Sequence, residues 1–196
     1  MKRDATGRMV EFGEFPRLET NRLVLRQMTL EDTEFWLRHF SDPEMVELTA
    51  FDAPKGIDGA REELLTYAIR LFQENKGIRW GITLKGGLHL IGTLGYHRWV
   101  KEGGYHARIG YDLLASHRRR GIMTEAMTAV LEYGFGTMGL NRVEALVDPR
   151  NEASKALLRK LEFYREGVLR EDTFFHGRFL DDVCFSLLAR EWRARK

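Results

Sequence analysis

The sequence has a single cysteine, no excess of charge of either sign and no long apolar run. Each shortage excludes something. Cys184 alone cannot build an intrachain disulfide framework, and one thiol fits a reducing cytosol. Lysine and arginine total 31 against 29 aspartate and glutamate, so the net charge of +2 gives no basis for bulk nucleic-acid binding. No stretch approaches the ~18 apolar residues that span a bilayer. Residues Met1 to Phe15 are charged and glycine-bearing without a long apolar core, so neither a membrane anchor nor a signal peptide is expected. No His/Cys/Asp cluster has metal-ligand spacing, and no metal is expected. There is no internal repeat and no low-complexity linker.

What remains is the composition of a packed protein. An apolar fraction of 43%, with 12 Phe, 6 Tyr and 4 Trp, argues against disorder. A length of 196 residues suffices for one domain with a sizeable core. Residues 1–18 read as a loose arm and residues 19–192 as a single domain.

Leu23 and Leu25 alternate within a strand between Thr20 and Met28. Thr29, with Asp32 three residues on, starts a helix to about Phe40, and Asp42-Pro43 breaks it. A second helix is expected from Gly59 to Asn75, ended by Gly77. Strands Trp80–Leu84 and Leu88–Tyr96 flank a Lys85-Gly86-Gly87 hairpin turn. A turn near Glu102-Gly103-Gly104 leads to the strand Ala107–Leu114. A helix Ile122–Met138, a strand Arg142–Val147 and a helix Glu152–Leu161 follow. A long helix between consecutive strands implies a right-handed crossover and a parallel pair. Strands at Phe163–Val168, Thr173–Phe175 and Val183–Leu188 complete a mixed α/β sheet with helices on both faces. Trp36, Phe40, Phe51 and Trp99 read as core or core-edge residues before groove walls.

The most informative stretch is Ser116-His117-Arg118-Arg119-Arg120-Gly121-Ile122-Met123-Thr124-Glu125-Ala126. A strand passes here through a cationic, glycine-containing turn into a helix N-terminus. First-turn N–H groups have no carbonyl partner in their own helix, and the peptide dipoles leave positive charge there. Three arginines before that end suit a phosphate or pyrophosphate. Taken alone, the segment reads equally as a solvated basic loop. It lacks the lysine–Ser/Thr ending of a P-loop and the spaced glycines of a dinucleotide fingerprint. Further on, Asp148-Pro149 turns the chain and Asn151 is placed to cap a helix containing Ser154.

Together these two segments resemble the GNAT N-acetyltransferases, and Thr124-Glu125-Ala126 resembles the RimJ/RimL branch, whose members acetylate protein N-termini. Arg118, Gly121 and Met123 occupy the places of the acetyl-CoA signature Arg/Gln-x-x-Gly-x-Gly/Ala, with Met123 where a small residue is usual. The resemblance runs from about Leu18 to Leu188, and Glu162 stands where relatives carry glycine. It implies a GNAT-like fold, a mostly antiparallel sheet with a parallel pair at the cofactor site. It implies acetyl-CoA as co-substrate, held by Leu113, Leu114, Arg118, Arg119, Arg120, Gly121, Ile122, Met123, Thr124, Asn151 and Ser154. Ser154 would protonate the departing thiolate. The acceptor would be a protein or peptide N-terminus, or a small-molecule amine; the protein would be cytoplasmic, a monomer or homodimer.

An α-amine, with a reference pKa near ~8, needs only modest base assistance. The branch places a glutamate base on a late strand, and the matching position here is Thr173. Glu171 or Asp172 would substitute only with a register shift. His97, His106 and Asp112 are the remaining candidates, with His106 and Asp112 the leading ones beside Ser154; for each of the three a plain structural role is the better reading, since a histidine in a hairpin turn is usually just solvated. The lack of a glutamate at Thr173 leaves open a non-catalytic acyl-CoA sensor. Cys184 lies in an apolar strand and reads as packing rather than as an acyl carrier.

Overall fold

A computed structural model describes residues 2–3, 9–11, 13–101 and 105–195; the expected turn at 102–104 lies outside the described residues. Lys2–Arg3 and Met9–Glu11 form a short antiparallel ribbon. Eight strands build one sheet: β1 Leu18–Glu19, β2 Leu23–Gln27, β3 Ile78–Leu84, β4 Leu90–Val100, β5 His106–Leu113, β6 Arg142–Val147, β7 Tyr164–Phe175 and β8 Arg178–Leu188. Their order across the sheet is β1-β2-β3-β4-β5-β6-β8-β7. Every pairing is antiparallel except β5 with β6.

The main α-helices are α1 Thr33–Phe40, α2 Pro43–Thr49, α3 Gly56–Leu64, which continues as π turns over Leu65–Arg70 and a last turn Leu71–Gln73, α4 Ile122–Glu132, α5 Glu152–Lys160 and α6 Ala189–Arg193. Two cores form because successive strand residues point to opposite faces. Leu90 joins Met28, Trp36, Phe40 and Leu64 beneath α1–α3. Its neighbour Ile91 joins Trp80, Tyr96, Met127, Val130 and Phe185 beneath α4 and α6. Both faces of the sheet are therefore sealed by helices, as alternation of apolar residues in β3 and β4 requires.

Several elements depart from the sequence reading. Asp42-Pro43 ends α1 but also starts α2: the Asp42 carboxylate accepts the Glu44 and Met45 amides, and proline occupies the first helical turn, where its missing N–H costs nothing. The strands expected at 163–168 and 173–175 are one strand, β7, paired along β8 with two bulges. A two-residue turn joins them, with His176 at φ 45° and Gly177 at φ 78°, the doubly left-handed geometry that matches strand twist. The arm is partly anchored: Phe15 packs on Phe72 at 4.8 Å, and the Trp80 indole N–H donates to the Pro16 carbonyl at 2.6 Å. Glu162 does hold a glycine-like conformation, φ 56°, with its carboxylate 2.8 Å from Arg195.

After α4 the helix widens into π turns over Tyr133–Thr137, and Gly134 there faces the buried Tyr96. A Cβ on Gly134 would sit 2.3 Å from the Tyr96 hydroxyl, which donates to the Val130 carbonyl at 2.9 Å. Alanine is a better helix former than glycine by about 1 kcal/mol, but this overlap with a fixed, buried hydroxyl outweighs it. Gly134→Ala is expected to lower stability by about 1–3 kcal/mol in urea unfolding.

Candidate active site

The site begins where β5 leaves β6. Their parallel ladder covers only His106–Arg108 against Arg142–Glu144. Beyond it β5 stays on β4, as far as Leu113 opposite Gly92, while β6 stays on β8, as far as Val147 opposite Val183. Each strand thus keeps one partner and the two diverge, leaving a backbone-lined gap in mid-sheet. A bulge in β4 lies at the level of the ladder. Its register against β5 shifts between His97 and Val100, with Arg98 at φ 48°, and a bulge bends the strand that carries it.

Two cavities open on the gap. One, of about 1050 Å³, runs along the N-terminus of α4 and is lined by Leu113, by Arg118 through Thr124, and by Asn151 and Ser154. Leu114, expected to join this set, packs between the two cores instead. The other, of about 880 Å³, lies toward α1–α3 and the β7–β8 hairpin. Tyr111, Asp112, Asn151 and Ser154 border both.

The turn before α4 is held open by its own backbone. Arg119 and Gly121 are left-handed, at φ 59° and 74°. The Glu125 amide donates to the Gly121 carbonyl, so the amides of Ile122, Met123 and Thr124 precede the helix's own ladder. Met123 does not crowd this end; its side chain turns inward among Ala126 and Met127. Glu125 fixes the turn against the start of β2, accepting from the Thr20 hydroxyl at 2.5 Å and from the Arg22 amide and Nε at 2.8 and 2.7 Å. Arg22 also donates to the Arg120 carbonyl. Sequence reading missed this clamp, since 103 residues separate Arg22 from Glu125. Arg118 pairs with Glu44 at 2.7 Å; Arg119 and Arg120 are exposed.

Asn151 caps α5 by accepting the Ser154 amide at 2.9 Å. That leaves the Ser154 hydroxyl for Tyr111, whose phenolic oxygen lies 2.5 Å away across the junction. Burial pushes the Tyr111 phenol up to about 12, against the opposing hydrogen bond from Ser154.

The other sequence candidates fall elsewhere. His106 opens β5 and borders neither cavity. Asp112 borders both, but its carboxylate is committed to the protein. It is bound by His39 Nε2 at 2.8 Å, Arg79 at 2.6 Å, and the Thr93 amide and hydroxyl at 2.9 and 2.5 Å. Burial alone would raise its pKa; His39, Arg79 and Thr93 outweigh that and hold it below the usual value. His97 lines the second cavity, its pKa lowered to about 4 by burial and by Arg79, Arg108 and Arg98. Trp36, Phe40 and Trp99 are buried and form this cavity's wall together with half-buried Phe51. Burial also raises the Cys184 thiol, which borders neither cavity. The residue missed is Asp182 of β8, which faces the second cavity and accepts the Thr173 hydroxyl at 2.7 Å.

Asp112 and His39 side chains are each only 2% exposed. Removing the charge would strand Arg79, so Asp112→Asn should cost about 3 kcal/mol in denaturant unfolding. A carboxyl depressed in the folded state stabilises above its unfolded pKa. The contribution of Asp112 is therefore complete at neutral pH and falls away below its ordinary value of 3.8.

Comparison with known proteins agrees with this geometry. The acetyltransferase (GNAT) domain family matches residues 22–164. The chain is 39% identical over 174 residues to the uncharacterized N-acetyltransferase YoaA of Bacillus subtilis (strain 168), covering 89% of this chain and 97% of that one. It is 28% identical over 186 residues to the [ribosomal protein uS5]-alanine N-acetyltransferase of Escherichia coli (strain K12), covering 90% and 92%. In fold it is similar to Mycobacterium smegmatis RimJ in complex with CoA-disulfide, with a TM-score of 0.74 at 24% identity over 86% of this chain and 83% of that one. The split parallel pair, the basic turn ahead of α4 and the family match together place the chain among the GNAT acetyltransferases.

Proposed function

We propose that the protein transfers acetyl from acetyl-CoA to a primary amine, and that the acceptor is a protein N-terminal α-amine. The observation that carries this is the meeting of two cavities at Tyr111 and Ser154. One cavity suits a phosphorylated cofactor and the other an acceptor; transfer requires them to touch at one point.

Acetyl-CoA supplies the activated acyl group as a thioester. The chain supplies the rest. The amides of Ile122, Met123 and Thr124, with Arg118, Arg119 and Arg120 around them, form the anion site for the pyrophosphate. Arg118 is reached by exchanging Glu44 for phosphate, a better bidentate partner. Asn151 approaches the pantetheine arm at the gap. Backbone N–H groups of β5 past Arg108, freed from β6, are oriented to polarise a carbonyl there.

Ser154 faces the departing sulfur. Its hydroxyl is hydrogen-bonded to the Tyr111 phenol, which stays protonated at cellular pH, so the pair would hydrogen-bond the departing thiolate and relay a proton to it as another replaces it. The preference for an α-amine follows from the relative whose name gives it the alanine terminus of uS5 as substrate, and from the low proton-removal demand of such an amine.

Two experiments test the reading. Thiol release from acetyl-CoA, followed with an alanine-terminal peptide beside spermidine, is expected with the peptide; release with spermidine alone would assign a small-molecule acceptor. Ser154→Ala is expected to lower kcat about 100-fold while leaving CoA affinity within threefold, and equal turnover would reduce Ser154 to part of the α5 cap. Separately, Arg118→Ala combined with Arg120→Ala should weaken CoA binding at low salt far more than at high salt. An unchanged affinity in calorimetry would remove both arginines from the site.

A further inference from the structure

The acceptor cavity contains four aspartates near its β6–β8 side, and three of them are accounted for. Asp112 is saturated by His39, Arg79 and Thr93. Asp148 is held in two-oxygen contact by the Arg150 guanidinium, at 2.6 and 3.0 Å, and also accepts the Arg150 amide. Asp181 is exposed and accepts the Glu171 amide at 2.8 Å. Asp182 differs. Among the described residues it has no arginine or lysine in an ion pair, and its one hydrogen bond comes from a neutral hydroxyl, that of Thr173, to Oδ2. The other oxygen, Oδ1, is left to the cavity that Asp182 and Thr173 line together with Tyr111 and Ser154.

We infer that Asp182 is the carboxylate that receives the acceptor as an ammonium ion and takes its proton, with Thr173 as the residue that positions it. The inference rests on the transferase reading above. A glutamate at Thr173 would have projected a carboxylate from β7. Here the carboxylate projects from the facing strand β8, two residues beyond Leu180, which pairs with Thr173, and Leu180 and Asp182 both line the cavity.

Electrostatics separates Asp182 from the competing base, His97. The imidazole is surrounded by Arg79, Arg98 and Arg108, a setting that repels an incoming cation. Asp182 faces Asp172 on β7 and Asp148 at the end of β6, with Arg108 on β5 as the opposing charge. Burial raises its pKa; the two aspartates add to that, while Thr173 and Arg108 work against it. The result is a carboxylate more basic than an exposed one, in a setting that favours a cation.

The step balances as follows. Asp182 accepts one proton from R-NH3⁺, giving a neutral amine. The nitrogen lone pair forms the C–N bond to the acetyl carbon as the C–S bond breaks, and the sulfur leaves as a thiolate. The thiolate takes a proton from the Ser154–Tyr111 relay, the second amine proton restores that relay through solvent, and Asp182 releases its proton to solvent. The products are R-NH-acetyl, CoA thiol and one proton.

The test is the pH dependence of kcat/KM for acetyl-CoA with an alanine-terminal peptide, and with spermidine if the peptide is inert. Asp182→Asn keeps the shape and the capacity to accept from Thr173. It is expected to lose about 100-fold in kcat/KM at pH 7, with CoA affinity unchanged and activity recovering as pH rises toward the amine's own pKa. Thr173→Val keeps the carboxylate but removes its hydroxyl donor, so the acid limb should move to higher pH. Asp182→Asn activity within threefold of the parent with an unchanged acid limb overturns the inference. Should Asp182→Asn fail to fold in thermal melting, Thr173→Val decides, and an unmoved acid limb overturns it equally. Turnover by the parent with indifferent variants removes Asp182 alone; no thiol release by the parent with either amine removes the transferase reading as well.

Discussion

The site depends on one constraint, the separation of β5 from β6 after three residue pairs. A sheet normally satisfies each strand on both sides, and unpaired backbone in the interior carries a cost of the order of a lost hydrogen bond. This sheet accepts that cost because each strand is secured on its other flank, β5 by β4 and β6 by β8. The β4 bulge at Arg98 and Trp99 lies level with the last paired residues of β5 and β6, and the pair Gly95 and Gly110 lies just beyond it. A Cβ on Gly95 would fall 2.2 Å from the Ile78 carbonyl, so β3 and β4 must approach closely there. The strand that turns away from β6 is thus the one packed edge to edge with β4, which itself sits close on β3.

Around the wedge, buried polar groups do what apolar packing cannot. Asp112 joins α1 through His39, β3 through Arg79 and β4 through Thr93, from a position on β5. A knot of this kind is poor evidence for extra stability compared with apolar side chains of the same volume. It does fix how α1 stands over the sheet, and hence where Trp36 and Phe40 wall the acceptor cavity. Glu125 plays the same part on the opposite face, tying α4 to β2 at the mouth of the cofactor groove.

Much of this was legible in the sequence because it is local. Alternation in β2–β4, the helical period after Ile122 and the glycine-bearing turns are short-range signals, and they locate the elements correctly. The basic turn, Asn151 and Ser154 are also local, each defined within a few residues of a helix start. What failed to show is non-local. The continuity of β7 is set by its partner β8, not by its own residues, which are mostly exposed and polar. The roles of Asp112 and Asp182 depend on which side chains arrive from other elements. Asp112 sits in a strand pattern that favours a base until His39, 73 residues away, occupies it. Helix α2 was hidden by the ambiguity of Asp-Pro, which ends one helix and begins the next with equal economy.

The two cavities also differ in how firmly their walls are held, and this bears on access. Their floors are strands and buried knots. Their shared rim is α2, fixed by Glu44 to Arg118 on the cofactor side and by Glu47 to Arg150 and Arg178 on the acceptor side. All of these pairs are partly or wholly exposed, and such pairs are worth about 0–1 kcal/mol each and weaken with salt. Only Met45 of α2 enters the core. This seven-residue helix is therefore held by one buried side chain and by exposed ion pairs. Glu44 holds Arg118 in the lining of the first cavity, and Leu48 and Thr49 of the same helix line both cavities, so α2 is the wall they share.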